Sequence, residues 1–414
     1  VLCVLASSAL GQRAFVRFTD DALILPAFSD SNSPVHWNGD QFTVFQSVGV
    51  TTAARGQSQF DPAMTSEQVF IDHGGQSPLW IESTYLDPDG VLFAWYHEEN
   101  VVCDGTHSVP KIGALISYDG GSSFQDLGTV LEAPGPINCN AENGYFAGGH
   151  GDFTVLLDAT GEYFYFYFGN YGGAAATQGV SVARMAYEDR WFPLGRVNKL
   201  YNGTFVEPGL GGRSTPIMPV TVGWETATTD AFWGPALHFN TYLNQYVMLL
   251  NRSCCDAGWP QEGVYISFNP DLGNPQGWTA PVKILVEGLA TWYPQVIGIE
   301  PGTTDKVAGE VARLYLQGQS QYEIEFDLCG LTLPDGEPAP CKALEGLSGE
   351  PGPPVVEGPP PGDGDDNGEG EGGGDGDGTG SDLRKPKRLD GRHLRRQLPR
   401  PLARRHPVLA APRQ

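Results

Sequence analysis

Residues 149–171, GHGDFTVLLDATGEYFYFYFGNY, decide how this chain folds. An apolar run, the polar turn DATG at 158–161 and an aromatic-rich run read as two strands closed by a tight hairpin. The turn residues tolerate positive φ, as such hairpins need. The same unit recurs on either side. SPVHW-NGD-QFTVFQS occupies 33–47 and ESTYL-DPDG-VLFAWYHE occupies 82–98. PALHF-NTYLN-QYVMLLNRS spans 235–253, and PQVIG followed by ARLYLQGQ lies between 294 and 319. A third strand follows each pair: TTAARGQ, KIGALISYDGG, GVSVARMAY, GVYISFNPDLG and QYEIEFDL. EQVFIDHG, GTVLEA and PVKILVEG read as fourth strands. Five copies of a four-strand unit, at an irregular period of roughly 40 to 80 residues, predict an all-β, five-bladed β-propeller. A β-sandwich does not repeat such a unit five times. The fifth copy lacks an outer strand, and AFVRFTDDALIL at 14–25 is placed to supply it, closing the ring and removing an open edge.

The ends read differently. VLCVLASSALG, residues 1–11, has the apolar core and small-residue end of a signal peptide. The propeller is assigned to 12–345. Residues 346–383, rich in Gly, Pro and Asp, have almost nothing to bury and read as a disordered acidic linker. Residues 384–414 read as a disordered basic tail, either a dock for an anionic surface or an altered reading frame. The tail holds 11 of the 25 Lys+Arg and one of the 49 Asp+Glu, so the remainder carries 14 basic and 48 acidic residues, a charge of −34. Such a body repels nucleic acid and anionic membranes, and leaves neutral ligands such as sugars open. No apolar run is long enough to span a bilayer. Beyond Cys3, six cysteines in an exported chain favour disulfides, Cys103 with Cys139 and Cys329 with Cys341 among them. Cys254 and Cys255 are adjacent, and neighbours rarely bond to each other. Metal-ligand spacing such as C-x-x-C is absent, which argues against structural zinc; no residue is assigned as a metal ligand and no cofactor is required. The chain reads as a secreted, extracellular or periplasmic monomer.

In a propeller the first strand of each blade lines the axis, and ligands bind where those strands begin. Here the starts bring Asp30 and Asn32, Glu82, His150 and Asp152, Trp233, and Trp292 with Tyr293. Acids and aromatic rings converging on one tunnel mouth suit a sugar: carboxylates bond hydroxyls or transfer protons, and rings stack on C–H faces. Glu82, between Trp80 and Tyr85, is placed for a raised pKa and a general-acid role. His97, Glu98 and Glu99 end the strand that returns to the same mouth, as an outer wall. Trp233, His238, Trp292 and Tyr293 are the stacking candidates.

In this layout, over roughly residues 28–327, the sequence resembles the five-bladed propeller glycoside hydrolases of family 43 (the arabinanase/β-xylosidase type) and their invertase-like relatives. The resemblance implies a general base at Asp30 and a carboxylate at Asp152 that tunes the acid. It also implies a structural calcium ion on the axis, near His150. The family's acid is a Glu in an E-G-P start, where this chain has Trp233-Gly234-Pro235. That departure puts the acid in doubt, and a carbohydrate-binding propeller without catalysis is the alternative. Ser117-Tyr-Asp119-Gly-Gly121-Ser-Ser-Phe124 matches the Asp-box hairpin, a structural mark of propeller blades. A six-bladed sialidase-like reading fails for want of arginines at the strand starts.

Overall fold

The computed structural model describes residues 13–74 and 78–329, which form five antiparallel sheets arranged as five blades. The expected signal segment, acidic linker, basic tail and Cys341 lie outside the described residues. Blade one is Val35–Asn38, Gln41–Ser47, Thr51–Gly56 and Thr65–Gln68. Blade two is Leu79–Leu86, Leu92–Val102, His107–Ser117 and Ser123–Leu131. Blade three is His150–Leu157, Tyr163–Asn170, Gly179–Ala186, Asn198–Tyr201 and Thr204–Pro208. Blade four is Ala231–Asn240, Gln245–Ser253, Gln261–Asn269 and Val282–Val286. Blade five is Pro294–Gly298, Val311–Leu316 and Gln319–Asp327, and Arg13–Ile24 completes it as the outer strand, antiparallel with Arg13 opposite Asp327. The ring closes as the leftover edge required.

A blade is covered on both sides, which explains why the strands read as nearly continuous apolar runs rather than strict alternations. Alternate side chains of a strand point to opposite faces. Thus Phe164, Phe166 and Phe168 pack toward blade two with Trp95 and Ile112, while Tyr165 and Tyr167 pack toward blade four with Met248 and Leu250. Val44 faces blade five and Phe45 faces blade two. Phe166 is fully buried in one of these seams. Phe166→Ala is expected to destabilise the fold by about 3–5 kcal/mol, read by chemical denaturation.

Two expectations need correction. EQVFIDHG is not one fourth strand. Thr65–Gln68 stays on blade one, Val69 is buried between blades, and Phe70–Asp72 crosses to pair in parallel with Ser123–Leu131 of blade two. Burying Val69 at the seam lets one segment edge two sheets. Cys103 and Cys139 are bonded as expected, but Cys254 and Cys255, neighbours of a kind that rarely pair, are bonded to each other across a cis peptide bond. At Ser117–Phe124 the Ser122 and Ser123 N–H groups donate to Asp119 Oδ1 (3.0 and 2.9 Å), tying the turn internally. Among the described residues no helix is long and apolar enough to cross a membrane.

Candidate functional site

Three successive inner strands break register at the same end. The pairing slips between Ile81 and Ser83 in blade two, between Gly151 and Phe153 in blade three, and between Trp233 and Ala236 in blade four. A β-bulge bends its strand and re-aims the extra residue. Glu82 and Asp152 are the extra residues, and in blade four Gly234 and Pro235 together stand opposite Leu250. Asp152 sits at φ +44° and Gly234 at φ +58°. A left-handed aspartate is uncommon, and here it turns the carboxyl across the axis, where the Tyr293 hydroxyl of blade five donates to Oδ1 at 3.0 Å. The Tyr171 hydroxyl donates to Oδ2.

Glu82 is fully buried and both its oxygens are engaged: Oε2 accepts from the Phe153 N–H at 3.0 Å, and Oε1 meets His97 Nδ1. The Trp80 ring stacks on the His97 imidazole with centroids 4.6 Å apart, fixing its plane. Burial works against a charge on His97, but the Glu82 carboxylate and then Glu99 outweigh it and hold the imidazole well above the ordinary histidine range. His97 Nε2 lies 3.7 Å from Glu99 Oε1.

Around this pair two carboxyls are displaced upward. Asp152, 4 % exposed, is raised to about 7, first by burial and then by the Glu82 charge, with His97 and the Tyr171 bond pulling the other way. Asp30, half-buried and with its N–H on the Ser47 carbonyl (2.8 Å), is raised to about 6 by burial, then by Asp152 and Glu99. Above them lies a cluster of rings: Phe146, Tyr171, Trp224, Trp233, Trp259, Tyr293 and the half-buried Trp292. Trp224 and Trp259 are 4.4 Å apart, and Trp233 meets Tyr293 edge-on at 5.5 Å. The indole N–H groups of Trp224, Trp233 and Trp259 are buried without a partner. Tyr145, partly exposed, feels the Asp30 charge from the rim.

The structure therefore gathers Asp30, Glu82, His97, Asp152, Trp233, Trp292 and Tyr293 at one mouth. Asn32 lies beneath them, and three others, Glu98, His150 and His238, go elsewhere. Glu98 turns to the opposite side of its strand, where it pairs with Lys111 (3.3 Å) and His73 (3.6 Å). His150, fully buried, lies against Phe168 and within the influence of Lys199; burial and then that charge hold it well below the usual histidine range. Asn32 makes the floor, its Nδ2 donating to the carbonyls of Phe153 (2.9 Å) and Pro235 (3.2 Å). His238 lies below that floor, lining a small cavity with Asn32, Thr154, Gln295 and Lys306, and burial then Lys306 lower it to about 3. Sequence reasoning missed Tyr171, Trp224 and Trp259, and it put Glu98 and Glu99 on one wall although only Glu99 faces the mouth. Glu99 had a signal, because it shares a strand face with His97.

One ligand atom each of Glu82, His97 and Asp152 lies within 4.8 Å of the other two, a trio able to converge on an ion. Calcium fits poorly, since it wants six to eight oxygens and the trio includes an imidazole nitrogen already on Glu82. The cavity beside His238 suits it no better, with the Lys306 ammonium donating to Thr154 Oγ1 (2.7 Å).

No protein-family model and no curated protein matches the chain. Among solved structures, a thermostable family-43 glycoside hydrolase aligns over 82% of this chain and 98% of its own, at 12% identity and TM-score 0.44. An exo-β-1,3-galactanase from Phanerochaete chrysosporium aligns over 77% and 64%, at 11% identity and TM-score 0.43. The catalytic domain of a family-62 α-L-arabinofuranosidase from Coprinopsis cinerea aligns over 76% and 97%, at 9% identity and TM-score 0.44. The five-bladed fold stands on the five sheets themselves, and these likenesses add no weight to the reading of the site.

Proposed function

We propose that the central pocket hydrolyses glycosidic bonds of neutral oligo- or polysaccharides by carboxylate acid/base chemistry. The observation that carries it is the bulged, left-handed Asp152, whose carboxyl is turned across the axis toward the ring cluster and whose charge Asp30 feels. Near neutral pH a carboxyl with pKa about 7 keeps much of its proton and one with pKa about 6 is mostly ionised. Asp152 then protonates the departing glycosidic oxygen, and Asp30 takes the proton of the water that adds to the anomeric carbon. Glu82 touches no solvent; it and His97 act as positioning residues whose charges set the Asp152 pKa. The half-buried Trp292 and the exposed Tyr145 offer rings to the C–H faces of a sugar. The Cys103–Cys139 bond supports a working place in an oxidising compartment outside the cytoplasm.

Turnover of a panel of aryl-glycosides and neutral polysaccharides, by wild type beside Asp30→Asn and Asp152→Asn, tests the reading. Activity lost in both variants with melting intact supports it. Glycan binding without turnover by wild type leaves the second reading, a binding propeller. Trp233 favours that reading, because at the position where the resemblance implies an acid it buries an indole instead. His97→Gln removes the cation that lowers both aspartates. The alkaline limb of the kcat/KM profile should therefore move up by about one pH unit, and a limb that stays put or moves down refutes the positioning role.

A further inference from the structure

We infer that a second, non-cleaving site for neutral oligosaccharide lies on the reverse face of the ring, in the groove between blades one and five. The first and third strands of each blade run away from the carboxylate mouth. The Asn38–Gln41 turn, the Gln57–Met64 loop and the Gly298–Thr303 turn therefore gather at the far end, around a groove of about 740 Å³. That volume is within the range of small-ligand sites, roughly 300–1,000 Å³.

The walls are fixed in advance. The Trp37 indole N–H donates to the Thr303 carbonyl (2.8 Å) and its ring meets Phe42 edge-on at 5.3 Å. The Gln59 side chain ties the two blades, donating to the Gly298 carbonyl (2.7 Å) and accepting from the Tyr315 hydroxyl (3.0 Å). A groove so braced spends little ordering entropy on a ligand. Yet it leaves apolar surface in water: Phe60 is 47 % exposed and Ile299 37 %. Apolar surface left exposed around a concavity is a mark of binding.

The polar groups choose the ligand. Exposed Asp40, Gln57 and Glu300 rim the groove, and no Lys or Arg is among its lining residues. Two carboxylates on a strongly acidic body turn away phosphates, nucleotides and uronates. They accept hydrogen bonds from hydroxyls, while Trp37 and Phe60 offer rings to C–H faces. A neutral sugar chain presents both surfaces at once. The acids here stand in solvent, unlike Asp152, so the groove holds sugar without cutting it.

This inference does not rest on hydrolysis at the central pocket. The test is affinity electrophoresis of the full chain through gels holding soluble arabinan, β-1,3-galactan or xylan, with polygalacturonate as the anionic control. The lanes carry wild type, Phe60→Ala, Gln57→Ala and Asp152→Asn, each checked by melting. At least one neutral polysaccharide should retard wild type and Asp152→Asn alike. Phe60→Ala should weaken that retardation tenfold or more, Gln57→Ala should weaken it less, and polygalacturonate should retard nothing. Retardation of Phe60→Ala equal to wild type, loss of retardation in Asp152→Asn alone, or no retardation of wild type by any neutral polysaccharide overturns the inference. Retardation that depends on Phe60 without any turnover sinks the hydrolase reading and leaves this one standing.

Discussion

Asp152→Asn is expected to lower turnover by about 10²–10⁴-fold, the usual worth of a positioned proton donor, while raising the melting temperature at pH 8. The two effects have one cause. In the native state the Asp152 carboxyl titrates at about 7, against about 4 in an unfolded chain. Between those values the native state binds more protons than the unfolded one, so stability falls as pH rises from about 4 to 7. Asparagine cannot ionise. Its one carbonyl oxygen still accepts from one of the Tyr171 and Tyr293 hydroxyls, the other hydroxyl turns to accept from the amide NH2, and the buried negative charge that Glu82 opposes is gone. Thermal melts of both proteins at pH 4 and pH 8, with turnover at each, check this. If the variant melts lower than wild type at pH 8, the charge is better accommodated than its burial implies. If it keeps full activity, Asp152 is not the acid.

Removal of residues 1–24 should abolish the cooperative unfolding transition and yield aggregated protein. Arg13–Ile24 covers the edge of Gln319–Asp327, which would otherwise offer unpaired backbone groups to another chain. It also supplies partners to a buried cation. Arg313, 3 % exposed, donates to the Thr19 hydroxyl (3.0 Å) and the Asp21 carbonyl (2.8 Å), and losing both leaves donors unmet in the interior. Buried Phe15 goes with the segment, and so do Ala14 and Val16, which uncovers the apolar seam between blades four and five that they pack against. Light scattering and melting report the result, and a synthetic peptide of residues 13–24 added during refolding should restore solubility. A truncated chain that stays monomeric and melts within a few degrees of the full one would show that the ring holds without its closing strand.

What the sequence made legible was local. Hairpin turns such as DATG and paired apolar runs are written within a dozen residues, so five blades and a missing edge could be counted. The site was legible only as a level on the axis. Glu98 and Glu99 differ by one position, and which faces the mouth follows from the pairing of Glu98 with Lys111 across the sheet. The bulges at Glu82 and Asp152 are invisible without the partner strand, since a slip exists only between two strands. Trp224 and Trp259 come from segments outside the repeat, and only folding lays one ring on the other. Phe70–Asp72 reads like a continuation of blade one because nothing local says that the chain has moved to its neighbour.

Joining Arg13–Ile24 to Gln319–Asp327 also sets a clock. About 300 residues separate the two partners, so at 5–20 residues per second a growing chain keeps its early segment waiting roughly 15–60 s for its mate. Through that interval the nascent protein is an open arc with one orphaned ribbon, and whatever guards the ribbon decides how much of the product matures.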